Sequence, residues 1–287
     1  MGKTDFAIDL AARLSVAGVE AVAVSADAFQ VYRGLETLSG APSPAQRKRL
    51  EHLLVADRGV DESMSAGRLA VEARAAIDEI LERDGQPIVI GGSGLYMQAV
   101  LTELPMRPPL SAAMKARAGE VAGAPPEERE RLLTGLSAQA AELIDSTDGY
   151  RAGRAVALGE AGGDASPGTG FWESPLRRKT LLFGLLRDRD ELYGRIDRRV
   201  DRMVDAGAAA DVARLDAVAS ATARQVIGFE ELPEGRIDDM KSRTRRYAKR
   251  QLTWMRRMQF AQTIDLSSEN PSEAAAAVAR AALAGAQ

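Results

Sequence analysis

The chain alternates between helix-period and strand-like segments, and this alternation limits its fold more than any other feature. Asp5 to Leu14 places Phe6, Leu10 and Leu14 on one helical face before Gly18 stops it, and Glu20–Ser25 follows as a short buried strand. Ser65–Arg83, with Leu69, Ala73, Ile77 and Leu81 in register, leads through Asp84-Gly85 to the strand Pro87–Ile90, which opens into Gly91-Gly92-Ser93-Gly94. Helix then strand, repeated, builds a parallel sheet covered by helices, and such sheets hold ligands beyond the carboxyl ends of their strands. Asp27 falls at one of those ends.

The pattern breaks from about Arg107 to Ser174, a stretch rich in Ala, Glu and Arg with Pro-Pro pairs at 108–109 and 125–126 and a Gly162–Gly170 run that reads as flexible. We read 107–174 as a small helical insertion into a core made of 1–106 and 175–287. The sheet is expected to resume at Thr180–Leu186, followed by a helix over Asp190–Ala206 with Leu192, Ile196, Val200 and Met203 inward. A last helix, Asp239–Arg257, spaces Met240, Thr244, Tyr247, Gln251, Trp254 and Met258 three and four apart, which marks Tyr247 and Trp254 as core.

Composition narrows the function. With no cysteine there is no disulfide framework, thiolate zinc site or cysteine nucleophile, and a reducing, cytoplasmic location is the simple reading. The longest apolar runs, such as Leu181–Leu186, fall far short of the roughly 20 residues of a membrane helix. The first residues are acidic and amphipathic, unlike a signal peptide. The net charge of −3 hides an asymmetry, because Phe171–Phe260 holds 20 basic against 14 acidic residues. Lys241–Arg257 alone has eight basic residues and no acid. Such a run is either a solvated helix face or a surface for a phosphate-bearing partner.

Gly2-Lys3-Thr4 at a helix start matches the end of a phosphate loop, where helix amides and an ammonium hold phosphate oxygens and a hydroxyl reaches a metal ion. Alone it is a weak signal, and a plain helix cap is the alternative. Its company strengthens it: Ser25–Gly34 (SADAFQVYRG) after the first strand, Gly91–Tyr96 (GGSGLY) after the second, then Arg195–Asp201 (RIDRRVD), Val226–Phe229 (VIGF) and Ala248–Arg256 (AKRQLTWMR). In that order, over nearly the whole chain, these blocks resemble the tRNA dimethylallyltransferase (tRNA isopentenyltransferase) family.

The resemblance implies an α/β fold, a P-loop-NTPase-like parallel sheet core with an inserted small helical domain that grips the anticodon arm. It implies transfer of a dimethylallyl group from dimethylallyl pyrophosphate to the exocyclic N6 amine of the adenosine beside a tRNA anticodon, with Mg²⁺ and a monomeric chain. Asp27 would be the general base, with Arg199 and Ser93 completing the catalytic set. Gly2, Lys3, Thr4 and Arg199 would hold pyrophosphate, Thr4 through the metal ion. The tRNA would meet Asp27, Ala28, Phe29, Gln30 and Ser93. It would also meet Lys115, Tyr150, Arg151 and Arg154 in the insertion, and Gln225, Gly228, Phe229, Arg250, Gln251, Thr253, Trp254, Arg256 and Arg257 in the core.

The family loop carries a strand and G-x-T-x-[ST]-G ahead of the Lys-Thr. Since the sequence opens at the last Gly of that motif, the resemblance implies weak pyrophosphate binding by the chain as written. The alternatives are a dimethylallyltransferase acting on free adenine nucleotides, a catalytically impaired RNA-binding relative, and an ordinary P-loop kinase. The insertion and the basic last helix argue against the first, since a free nucleotide needs neither. His52, the single histidine, receives no chemistry.

Overall fold

The computed structural model describes residues 2–104, 109–164, 173–258 and 262–285. Most of the Gly162–Gly170 run and Pro108 of the first Pro-Pro pair lie outside the described residues. Helices α1 (Lys3–Val16), α2 (Glu36–Ser39), α3 (Pro44–Arg49), α4 (Ala66–Glu82) and α5 (Gly94–Leu101) alternate with strands β1 (Ala21–Ala26), β2 (His52–Leu53) and β3 (Gln86–Gly91). A helical stretch follows: α6 (Ala112–Gly123), α7 (Pro126–Leu136), α8 (Ala138–Leu143) and α9 (Gly149–Glu160). The chain then runs through β4 (Phe183–Leu186), α10 (Arg189–Asp205), α11 (Ala208–Leu215), α12 (Ile237–Met255), β5 (Gln262–Asp265) and α13 (Pro271–Gly285). Two compact units result, one of 1–103 with 175–287, the other of 104–174.

The named strands of the larger unit pair in parallel, in two sheets ordered β2-β1-β3 and β4-β5. β1 and β3 pair along their length, from Ala21 opposite Gln86 to Ala26 opposite Gly91. The expected strand at Thr180–Leu186 forms only over Phe183–Leu186, and it does not extend the first sheet. Between the edges of β3 and β4 lies a cavity of about 500 Å³. Its walls are apolar: Phe6, Leu10 and Leu14 of α1 on one side, Met97 and Val100 of α5 on the other. The sheet is interrupted because no strand stands between β3 and β4 among the described residues.

Helix boundaries follow local chemistry. Ser65 caps α4 by accepting from Arg68 N, and Leu69, Ala73 and Ile77 are buried as the spacing predicts, while Leu81 is exposed. Asp188 caps α10 by accepting from Asp190 N and Glu191 N, and Leu192, Ile196, Val200 and Met203 are all buried. In the smaller unit, Ser111, Ser137 and Asp148 cap α6, α8 and α9. Val121, Leu133, Ala140, Ile144, Ala152, Ala155 and Val156 form its own core. Gly153 lets α9 lie against the backbone of α6, where a Cβ would collide with the Ala118 carbonyl.

Candidate active site

Asp27 follows the last residue of β1 and is held in a tight turn, its Oδ1 accepting from Phe29 N at 3.0 Å and its carbonyl from Gln30 N at 3.2 Å. The turn is anchored behind by Ser25, whose Oγ donates to Gln30 Oε1 at 3.0 Å, and Gln30 Nε2 donates to the Gly40 carbonyl at 3.4 Å. Gly40 ends α2 in the left-handed region, φ 64°. The guanidinium of Arg199, reaching over from α10, lies directly on it: a Cβ at position 40 would overlap that group.

Lys3 completes a charged cluster. Gly2, φ 90°, turns the chain into α1, so Lys3 and Thr4 occupy the helix's first two positions, where its amides and dipole are positive. Burial drives the Asp27 carboxyl above its ordinary range, opposed by the Phe29 amide and then by Lys3 and Arg199. Burial likewise lowers the Lys3 ammonium and the Arg199 guanidinium, and in both Asp27 pulls the other way. Asp27 and Lys3 are half-buried and Arg199 exposes much of its surface, although protein surrounds all three.

The turn after β3 forms another wall. Helix α12 crosses it closely, with the Gln251 carboxamide over Gly92, where a Cβ would come within 2.6 Å of Nε2, and the Trp254 ring over Gly94, where a Cβ would overlap it. These glycines are there for close approach. Ser93, at the N-cap of α5, makes no capping bond with its side chain, and it lines the same cavity as Lys3.

Tyr247 is a member of this neighbourhood, although its spacing predicts a place in the core. It is half-buried, belongs to none of the hydrophobic clusters, and its phenol is pushed up to about 12, by burial first and by the Asp27 charge second. Its ring carries Arg250, 5.7 Å away. Trp254 is likewise half-buried, against Gly94. The i, i+4 relation of Tyr247 to Gln251 is the clue that the sequence offers, since Gln251 also hydrogen-bonds the phenol.

The basic run divides in two. Toward its start three cations are neutralised, Lys241 by Asp201 at 2.6 Å, Arg243 by Glu231 at 2.8 Å and Arg245 by Asp197 at 2.7 Å, while Arg246 is exposed. Asp197 and Asp201 thus tie α10 to α12 and leave Arg199 to the cluster at Asp27. Toward its end, Lys249, Arg250, Thr253, Arg256 and Arg257 are exposed. Gln225 is exposed too. Ala28 and Phe229 are 1% and 2% exposed inside the largest core cluster, and Gly228 packs against Leu38 and Met240. These three shape the interior, and the side chains of Ala28 and Phe229 are turned into the core. In the smaller unit Lys115, Tyr150 and Arg151 are exposed and Arg154 is half-buried, with Arg151 beside Asp148 at 3.4 Å. His52 Nδ1 lies 2.7 Å from the Leu50 carbonyl and serves β2.

No helix among the described residues is long and apolar enough to cross a membrane. A family model described as IPP transferase matches residues 30–258. The tRNA dimethylallyltransferase of Natranaerobius thermophilus is 30% identical, covering 95% of this chain and 86% of its own. That of Exiguobacterium sibiricum is 33% identical over 89% and 83%. The crystal structure of the full-length tRNA isopentenylpyrophosphate transferase from Bacillus halodurans superposes with a TM-score of 0.69 at 28% identity, covering 99% of this chain and 92% of that one.

Proposed function

The chain belongs to the IPP transferase family, and from that premise we propose that it transfers a dimethylallyl group from dimethylallyl pyrophosphate to the N6 amine of an adenosine beside a tRNA anticodon. The observation that carries the reading is the cluster of Asp27, Lys3 and Arg199 at the carboxyl end of β1. N6 attacks the allylic C1, the C1–O bond breaks, and its electron pair leaves with pyrophosphate. The N6 proton passes to Asp27. A carboxyl raised above its ordinary range is a better proton acceptor once ionised, and general-base help is worth about 10²–10⁴-fold. Lys3 and Arg199 meet the negative charge that grows on the leaving group.

The donor set fits Mg²⁺ as a companion of the substrate. No cluster of three or more His, Asp or Glu that could cage an ion exists among the described residues, and Mg²⁺ commonly binds through one or two protein oxygens plus phosphates. Thr4 Oγ1 at the start of α1 would be one such oxygen. When bound, the ion would neutralise pyrophosphate.

The exposed end of the basic run supplies cations for the phosphates of an anticodon loop, and the smaller unit by itself presents Lys115, Tyr150 and Arg151, two cations and an aromatic ring of the kind that meets RNA. We place the activity in the cytoplasm, in a monomer. The test is incubation with labelled dimethylallyl pyrophosphate and an adenosine-bearing anticodon stem-loop, followed by digestion to nucleosides. Label in a modified adenosine of the stem-loop is expected. Label in free AMP alone would favour the nucleotide-prenylating alternative.

A further inference from the structure

We infer that Gly40 is a positioning residue: its missing side chain forms the seat that delivers the Arg199 guanidinium to Asp27. The inference rests on the proposed role of Arg199 at the departing pyrophosphate and adds the device that places it there. Two features of the seat are unusual. A Cβ at position 40 would overlap the guanidinium, so no other residue type leaves Arg199 where it is. The backbone below is fixed, with the Gly40 carbonyl accepting from Gln30 Nε2 at 3.4 Å and Ala41 N donating to the Glu36 carbonyl at 3.0 Å. Gln30 in turn donates its own amide to the Asp27 carbonyl at 3.2 Å and accepts from Ser25 Oγ at 3.0 Å. One hydrogen-bonded chain therefore joins the backbone of the turn that carries Asp27 to the floor on which the guanidinium lies.

Of the two parties at this contact, the backbone is pinned and the arginine tip is the far end of a flexible side chain. A methyl group at position 40 thus moves Arg199 and leaves the fold in place. Asp27 supplies the opposite charge that favours the guanidinium there. A flat glycine surface lets the planar group lie close without a further polar partner. The neighbouring acids are committed elsewhere, Asp197 to Arg245 and Asp201 to Lys241.

The experiment is a double-mutant cycle of Gly40→Ala with Arg199→Ala, read by single-turnover transfer, by titration with inorganic pyrophosphate and Mg²⁺, and by thermal melting. Gly40 has φ 64°, so an alanine there also strains the backbone. Gly235→Ala is the control: Gly235 has φ 66° and nothing within 4 Å of an added Cβ. Gly40→Ala is expected to slow transfer by about 10–100-fold, as small misplacements at a reacting centre do. Pyrophosphate affinity should fall with it, and adding Gly40→Ala to Arg199→Ala should change neither readout. Gly235→Ala should match the loss in melting temperature and keep full transfer. Additive losses in the cycle, or an equal loss of transfer in Gly235→Ala, would overturn the seat. If Arg199→Ala alone leaves transfer and pyrophosphate binding intact, the reading of the site fails instead, and the seat loses its purpose with it.

Discussion

β1 and β3 are neighbours of the same length, both apolar in sequence, and they bury their side chains to very different degrees. Val22, Ala23 and Val24 of β1 are 0% exposed, whereas Ile88, Val89 and Ile90 of β3 are only half-buried. The difference lies in what flanks each strand. β1 has a strand on either side, while β3 has β1 on one side and the cavity on the other. Burial is set by neighbours more than by residue type, and the same contrast runs through the site. Asp27, at the end of β1, is locked by hydrogen bonds. Lys3 and Ser93 stand at the mouth of the open slot.

The largest effect expected from this contrast is at Asp27. Asp27→Asn should lower transfer by about 10²–10⁴-fold while stem-loop affinity changes little, since the carboxylate takes a proton and does not grip phosphate. Its raised pKa fixes the sign of two pH effects. The rate should fall as pH drops through a value above the ordinary carboxylate range, near 3.9, and Asp27→Asn should lose that acid limb. Between the ordinary and the raised value the folded chain holds a proton the unfolded chain has lost, so ionising Asp27 costs stability as pH rises. Asp27→Asn should therefore melt higher than the parent at neutral pH. A lower melting temperature there would show that the Phe29 amide and the two cations outweigh burial.

A smaller effect concerns the slot. Extending the protein ahead of Gly2 by an apolar strand and a glycine loop is expected to fill the space between β3 and β4, because only a strand can pair with both edges at once. The melting temperature should rise by several degrees, at about 2–4 °C per kcal/mol in a chain of this size, and transfer should increase as the loop amides reach the pyrophosphate. An unchanged melting curve would mean that the slot does not accept a strand.

The smallest effect compares the two strands directly. Val24→Ala, in a closed core, should cost roughly 2 kcal/mol, while Ile88→Ala, which removes more carbon from the slot wall, should cost only about 1 kcal/mol or less. Urea titration of both variants checks the order. A larger loss at Ile88 would show that the slot is closed in solution.

Much of the site is legible in the sequence because its residues come in local runs. The turn at Asp27, the Gly91–Gly94 turn and the Lys3-Thr4 helix start each lie within ten residues of a strand or helix signal. The α/β pattern is legible for the same reason, since Leu192, Ile196, Val200 and Met203 repeat at helical spacing and all are buried. Spacing misplaces Tyr247 because its position fits a core stripe as well as a site wall. The burial of Ala28 and Phe229 is not legible in their motifs, because a motif records which residues recur together and not which way each side chain points.

The sequence by itself determined the helix-strand order, the caps, the turn that presents Asp27 and the charge of the last helix. All of these are set by interactions between residues a few positions apart. Only the tertiary structure decided how Lys3, Asp27 and Arg199 come near one another, that Gln251 and Trp254 close on the glycines after β3, and that Lys241 and Arg245 of the basic run are spent on α10. Each of those depends on contacts between segments tens to hundreds of residues apart, where a glycine's empty space and a distant side chain fit together. Spacing along a chain carries no record of such a fit. The interrupted sheet belongs to the same class, because whether a strand edge is paired is a property of what lies beside it.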